Sequence, residues 1–393
     1  MVGIFRPFWV KCIQCSALLL PTRLEQRDAM PTNIIPPKLV WGFERIIKRM
    51  SVSKEDVLAA LSKVQDPELH KDLVTLKMIK DITIEDSTVS LTVELTTPAC
   101  PLKDRIRKDV EGALLALAGV DSVEVTMGAR VPKDEKITDL EIKNIIAVGS
   151  GKGGVGKSTI AVNLAVSLAQ TGAKVGLMDA DIYGPNVPMM MGVDKLPPTP
   201  KGKQIQTAEA HGVKVMSIGF MVTPGQPLIW RGPMLHSAIK QFLMDVDWGD
   251  LDYLVVDLPP GTGDVQLSLV QTVPLSGGVI VTMPQKVSFD DAARAVSMFR
   301  KMDVPVLGVV ENMSYLEMSD GTKRRIFGQG GGEALAAAAQ APLLANIPID
   351  ESVREGGDSG EPVVVSDPES PAAKAMEALA HSVAARMSMQ AYE

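Results

Sequence analysis

A chain of 393 residues is longer than a single hydrophobic core usually grows, so two or more domains are expected. Its net charge of −7 excludes a general nucleic-acid-binding role, which needs clustered Lys and Arg, and no apolar run reaches the ~18 residues of a membrane helix, so neither nucleic acid nor a membrane is an expected partner. Three cysteines are too few for a disulfide framework and indicate a reducing, cytoplasmic setting.

Residues 1–49 stand apart from the rest. They hold eight Lys or Arg against three Asp or Glu, a balance of +5 that leaves −12 for residues 50–393, and they carry five of the sixteen aromatic residues. No helical or strand periodicity is sustained there. The segment therefore reads as an upstream extension, with Met50 as an alternative start; an organelle-targeting leader matches its basic charge but not its acids or its few serines. Cys12 and Cys15 form a Cys-x-x-Cys pair within it, a candidate metal pair.

Residues 50–130 carry the pattern of a small α+β domain. Ser53 with Asp56 resembles a capping box, and Val57, Leu58, Leu61 and Val64 follow at helical spacing until Asp66-Pro67. Ile82 and Ile84, then Val89, Leu91, Val93 and Leu95, alternate around Glu85-Asp86-Ser87 and predict a β-hairpin. A second helix is expected from Pro101, and Val123 with Val125 suggests a closing strand. The polar run that opens at Val131-Pro132-Lys133 reads as a linker over residues 131–142.

From residue 143 to 393 short apolar runs alternate with helical stretches. Val175 to Met178, Val213 to Ile218, Tyr253 to Leu258, Val279 to Met283 and Val306 to Val310 are expected buried strands, which implies an α/β domain with a parallel sheet covered on both faces. After the apolar run Ile145-Ile146-Ala147-Val148 comes Gly151-Lys152-Gly153-Gly154-Val155-Gly156-Lys157-Ser158-Thr159, which meets the spacing of a phosphate-binding loop. Its glycines allow backbone N–H groups to turn onto a triphosphate, Lys157 can reach the β- and γ-phosphates, and the Ser158 hydroxyl can ligate Mg²⁺. Asp257 ends an apolar strand, where a carboxylate can hold Mg²⁺ directly or through water. In the following Pro259-Pro260-Gly261-Thr262-Gly263-Asp264, Gly261 can offer its N–H to a γ-phosphate. Asp179 and Asp181 sit after another strand, near the same phosphate; acids often cap helices there, but their joint placement favours a nucleotide role.

With these motifs the chain resembles the Mrp/ApbC family of iron-sulfur cluster carrier ATPases, within the MinD-like and nitrogenase-iron-protein-like class. The resemblance covers residues 50–390, through the phosphate loop, Asp179-Ala180-Asp181-Ile182-Tyr183-Gly184-Pro185-Asn186, Trp230-Arg231-Gly232-Pro233-Met234, Asp257 to Asp264 and Glu311-Asn312-Met313-Ser314. The first module, with Asp66-Pro67-Glu68 and Thr96-Thr97-Pro98-Ala99-Cys100-Pro101, looks like the small cluster-assembly domain often fused ahead of that ATPase. The resemblance implies ATP and Mg²⁺ as cofactors, an iron-sulfur cluster as cargo, weak ATPase turnover as a homodimer, and a cluster scaffold and apoprotein acceptors as partners. It also implies roles. Lys152 would reach across the dimer to the partner's nucleotide, Asp181 would position the attacking water, and Asp179 would support the Mg²⁺ shell. Asn312 would contact adenine, while the Ile347-Pro348-Ile349-Asp350 loop would close the base pocket around Pro348 and Asp350.

One motif departs from the family pattern. Many members carry a Cys-x-x-Cys pair shortly after Asn-Met-Ser; here Tyr315-Leu316-Glu317-Met318-Ser319-Asp320-Gly321-Thr322 stands instead, and no cysteine follows residue 100. A symmetric four-cysteine cluster at that position is thereby excluded. Cys100 is then a possible cluster ligand, its thiol expected to be acidified by the N–H groups of the helix after it; as a lone Cys it is equally a small buried hydrophobe. Glu317 and Asp320 are read as an exposed acidic hairpin or as oxygen ligands. The four histidines show no zinc-like spacing.

Three functions compete: a cluster carrier, a MinD- or ParA-like positioning ATPase, and a nucleotide-gated scaffold without a cluster. The second needs a basic amphipathic tail, yet Ala372 to Met389 offers only Lys374 and Arg386 as fixed positive charges. With Met376, Leu379 and Val383 at helical spacing, that tail is expected to pack on its own domain.

Overall fold

In the computed structural model, residues 52–221 and 232–392 are described. Cys12, Cys15 and the rest of the N-terminal extension lie outside them, as do Trp230 and Arg231.

The first module begins with α1 (Lys54–Leu61), and Ser53 and Asp56 form the expected reciprocal capping box. Strands β1 (Ile79–Glu85) and β2 (Thr88–Leu95) pair antiparallel across a tight turn in which Asp86 takes φ 53°. Alternation in β2 buries Val89, Leu91, Val93 and Leu95. Helix α2 (Lys103–Leu115) starts two residues beyond Pro101, and β3 (Ser122–Ala129) joins β2 in parallel, giving the order β1-β2-β3. Ile106, Val110 and Leu114 of α2 meet Val57 and Leu61 of α1 over the sheet in one apolar core. The 131–142 segment packs more tightly than a polar linker: Val131 and Ile137 are buried, and Asn144 donates to the Pro132 carbonyl.

The second module is an eight-stranded sheet of order β13-β10-β9-β4-β8-β5-β7-β6. In chain order its elements are β4 (Ile142–Ser150), α3 (Lys157–Gln170), β5 (Val175–Asp179), α4 (Val187–Met190), β6 (Ala208–Ala210), β7 (Val213–Ser217), α5 (Gly232–Met244), β8 (Leu251–Asp257), α6 (Asp264–Thr272), β9 (Gly277–Thr282), α7 (Lys286–Lys301) and β10 (Val306–Glu311). The hairpin β11 (Leu316–Glu317) and β12 (Lys323–Arg324) follows, then α8 (Gly331–Ala338), β13 (Leu343–Asn346), α9 (Glu351–Ser359), α10 (Val363–Ser366) and α11 (Pro371–Gln390). All pairings in the large sheet are parallel except β6 with β7 at one edge. Short edge strands β6 and β13 carried no periodic signal, since two or three alternations do not stand out from a loop.

Period-two alternation divides each central strand between two cores. Ile146 and Val148 of β4, with Tyr253 and Val255 of β8, face α3 and α11, whereas Ile145, Ala147, Leu254 and Val256 face α5, α6 and α7. Helix α11 buries Met376, Leu379 and Val383 in the first of these cores, as its spacing implied. The fold is thus an α/β phosphate-loop sheet preceded by a small α+β module. No described helix is long and apolar enough to cross a membrane.

The hairpin after β10 differs from expectation. Glu317 and Asp320 lie on it, but Lys323, Arg324 and Arg325 outnumber them, and the Lys323 ammonium sits 4.2 Å from the centroid of the Tyr315 ring. It is a mixed-charge hairpin, with no group of three or more His, Cys, Asp or Glu arranged for a metal ion among the described residues.

Candidate nucleotide site at the carboxyl ends of the strands

Strand β4 is where the sheet order reverses: the chain runs one way to β5, β7 and β6, and later the other way to β9, β10 and β13. Ligands of such sheets bind outside the carboxyl ends of strands at this point, which is where residues 150–157 lie. Gly154 and Gly156 adopt φ 81° and 83°, a left-handed backbone that β-carbon-bearing residues resist, and Gly156 caps α3. Gly151 is pressed on the backbone of α7: a Cβ there would collide with the Asp291 carbonyl.

Three buried carboxylates converge on Lys157, itself 6% exposed. Its ammonium donates to Asp257 Oδ1 at 2.6 Å and lies 3.4 Å from Asp181 Oδ2, while Ser158 Oγ donates to Asp257 Oδ2 at 2.6 Å. Asp179 pairs beside Asp257 in the β5/β8 register. Burial pushes the Asp257 carboxyl above the usual range, opposed by Lys157 and Ser158. Burial and the Asp257 charge push Asp179 up to about 7. Buried charges of this kind are costly unless paired, so their concentration at a loop built for phosphates marks a functional site.

Ser158 and Asp257 suit the Mg²⁺ of a bound nucleotide, an ion that takes few protein ligands and completes its shell with water and phosphate oxygens. Asp179, the third acid expected at the Mg²⁺ shell, is held by protein donors. Its Oδ1 accepts the Asp181 N–H and its Oδ2 accepts from Ser217 Oγ and the Val187 N–H, so both oxygens brace the loop between β5 and α4. Gly261 is likewise engaged: its N–H donates to the Ser150 carbonyl at 3.0 Å, a bond that must break before a γ-phosphate can take the donor. Lys152 and Thr159 are half-buried at the two ends of the loop, and Lys152 has no ion-pair partner among the described residues.

The 312–315 and 347–350 segments meet. Ser314 N–H donates to the Ile347 carbonyl and Ile349 N–H to the Tyr315 carbonyl. Asn312 also holds the phosphate loop, because its amide donates to the Val155 carbonyl at 2.9 Å and fills the space a Cβ on Gly156 would need. Asp350 caps α9 through the Ser352 N–H, while Pro348 lies in the connecting loop. Glu311, which the sequence offered only as part of the Glu-Asn-Met-Ser motif, is a buried carboxylate that accepts from Ser314 Oγ and the Gly332 N–H and so ties this turn to α8. A strand-ending acid followed by Asn-Met-Ser is the only sequence signal it left.

Cys100 lies elsewhere. Its loop docks at the amino-terminal half of β8: Tyr253 hydroxyl donates to Thr97 Oγ1 at 3.1 Å, Ala99 is fully buried in the α3/α11 core, and the His381 imidazole of α11 bonds the Ala99 carbonyl. The expected acidification of its thiol is overturned. Burial pushes Cys100 up to about 11, Glu68 and Asp66 add to the rise, and the Leu102 N–H lowers it too little to compensate.

Comparisons with known proteins place the chain. Residues 141–384 match the family model of the NUBPL iron-transfer P-loop NTPase, and residues 54–127 match that of the iron-sulfur cluster assembly protein. The chain is 53% identical over 350 residues to a protein of Synechocystis named iron-sulfur cluster carrier protein, covering 86% of this chain and 99% of that one. It is 42% identical to one of the same name from Escherichia coli, covering 85% and 92%. Among solved structures, a nucleotide-binding protein of Archaeoglobus fulgidus in complex with ADP superposes with a TM-score of 0.52 at 37% identity, covering 58% of this chain and 90% of that one. Sequence over both modules and the geometry around Lys157 agree, and the chain belongs to the family of iron-transfer P-loop NTPases.

Proposed function

We propose that this protein is an ATP-dependent carrier that holds an iron-sulfur cluster in transit and passes it to apoproteins, hydrolysing ATP slowly as a cytoplasmic homodimer. The observation that carries the reading is the joint match of both modules, one to an iron-transfer NTPase and one to an iron-sulfur assembly protein. Residues 50–130 serve the cargo, residues 143–393 hydrolyse ATP, and 131–142 connect them.

At the nucleotide, the backbone N–H groups of 151–159 would cradle the phosphates, and Lys157 would trade its carboxylate partners for phosphate oxygens. Ser158 and Asp257 would hold Mg²⁺, which screens phosphate charge when bound. Asp181, beside Lys157, would align the attacking water, and Lys152 would neutralise charge developing on the partner's nucleotide. Asn312, Pro348 and Asp350 would border the base. Cargo is handled at the other end of the sheet. Cys100 is the one thiol among the described residues, and one thiolate cannot hold a cluster, so further ligands would come from Cys12 and Cys15, a second copy of the chain, non-cysteine side chains or the partner proteins.

The test is anaerobic reconstitution of the full chain with ferrous iron and sulfide, followed by incubation with an apo-form of an iron-sulfur enzyme with and without Mg-ATP. Bound iron with thiolate-to-iron absorption bands and nucleotide-dependent activation of the acceptor is expected. Normal ATP binding without iron uptake would favour the nucleotide-gated scaffold instead.

A further inference from the structure

Ser217 ends β7 fully buried. Its hydroxyl donates to Asp179 Oδ2 at 2.8 Å and accepts the Gly219 N–H at 2.9 Å. The same turn touches the β5 loop a second time, since a Cβ on Gly219 would stand 3.2 Å from the Pro185 side chain. From Asp179 the bonded path continues through Oδ1 to the Asp181 N–H at 3.1 Å, then from Asp181 Oδ2 to Lys157 at 3.4 Å, and from Lys157 to Asp257 at 2.6 Å.

We propose that Ser217 is a positioning residue for ATP hydrolysis: it orients the Asp179 carboxylate, which holds Asp181 beside Lys157 where the attacking water must be aligned. The terminal torsion of an aspartate is soft, so its plane is set by its donors. Here the Gly219 N–H occupies a lone pair of the serine oxygen and directs the hydroxyl hydrogen at Asp179. Without that donor Asp179 keeps two backbone N–H groups, both from the loop it is meant to brace. The loop then loses its hydrogen-bonded anchor to β7, and Asp181 loses a defined place. ATP binding rests on the phosphate loop, Lys157 and Ser158, none of which Ser217 touches, so the cost falls on the chemical step.

The proposal rests on the ATPase reading and is tested by steady-state kinetics on the full chain. Ser217→Ala is expected to lower kcat about 10- to 100-fold with KM for Mg-ATP within about twofold. Ser217→Thr, which keeps the hydroxyl, should restore most of the rate. Ser217→Cys, close in volume but a weak donor, should behave like the alanine variant and guards against a cavity effect. An unchanged kcat in Ser217→Ala, a threonine variant as slow as the alanine one, or a joint change in kcat and KM would each overturn it. Lys157→Ala, assayed alongside, separates the two claims: full turnover there would sink the ATP site itself whatever the Ser217 variants did.

Discussion

Strand β8 carries Asp257 at one end and Tyr253 four residues earlier, roughly 13 Å away at the rise of a β-strand, and the two ends are built on different electrostatic plans. At Asp257 the buried polar groups are ions: one ammonium and three carboxylates, with excess negative charge and two carboxyls driven upward by burial. At Tyr253 the bonds that join the small module to the ATPase core are made by hydroxyls, a carbonyl and the His381 imidazole, with no ammonium–carboxylate pair among them. Neutral hydrogen bonds cost little to bury when satisfied and suit a joint that stays closed. Ion pairs are expensive to bury but can be exchanged when a ligand brings its own charge, which suits a site that must open to phosphate and Mg²⁺.

The largest effect that would break this contrast is at the charged end. Lys157→Ala should cut ATP turnover by about 100-fold or more, read by phosphate release. It should also lower the melting temperature, because Asp257 and Asp181 lose their buried counter-ion. Retained stability would mean that the carboxylates neutralise themselves without cost.

At the neutral end, Cys100→Ser should reduce cluster transfer by about tenfold or more, since a hydroxyl is a poor iron ligand, while ATPase activity stays within about twofold. Equal losses in both assays would show that the thiol is there for packing. Because the thiol is pushed up to about 11, its alkylation by iodoacetamide should also be slow at pH 7 and quicken as pH rises toward that value.

A pH profile sharpens the comparison further. The Asp179 carboxyl is pushed up to about 7 from an ordinary 3.8, so between about pH 4 and 7 the folded protein keeps a proton that the unfolded chain has released. Its contribution to stability is therefore greatest at low pH and falls as pH rises through that window. Asp179→Asn should flatten this part of the profile, measured as urea midpoints at pH 5 and pH 8.

The smallest effect is expected at the junction. Tyr253→Phe removes one hydroxyl from Thr97 and should cost about 1 kcal/mol, a few degrees in melting temperature, with ATP turnover unchanged. Thr97→Val should cost more, because the same hydroxyl also accepts the buried Ala99 N–H at 3.1 Å, and the double variant should cost less than the sum of the two. A loss of ATPase activity in Tyr253→Phe would mean the two ends of β8 are energetically linked.

The phosphate loop was legible because its chemistry is local: Gly154 and Gly156 must adopt left-handed backbone, Lys157 and Ser158 must follow, and no distant residue alters that requirement. The same holds for the Ser53–Asp56 cap, the alternating β2 strand and the amphipathic α11, each written in residues a few positions apart. Asp257 and Asp181 could be placed near the nucleotide because strand-ending acids in a parallel sheet share one edge. What each acid does there could not be read, since Asp179 is taken up by Ser217, 38 positions away, and Lys157 meets Asp257 across 100 positions.

Cys100 shows the same division at greater distance. Its place before a helix is local and suggested an acidic thiol, whereas its burial comes from a loop docked on Tyr253 and His381, 156 and 282 positions from their partners Thr97 and Ala99. Sequence alone determined which residues can turn a loop, cap a helix, alternate on a strand or carry charge, because those properties depend on backbone torsions and near neighbours. Only the tertiary structure decided which charges share a low-dielectric space and which donors each carboxylate receives, because burial and pairing are set by elements that meet only once the chain is folded.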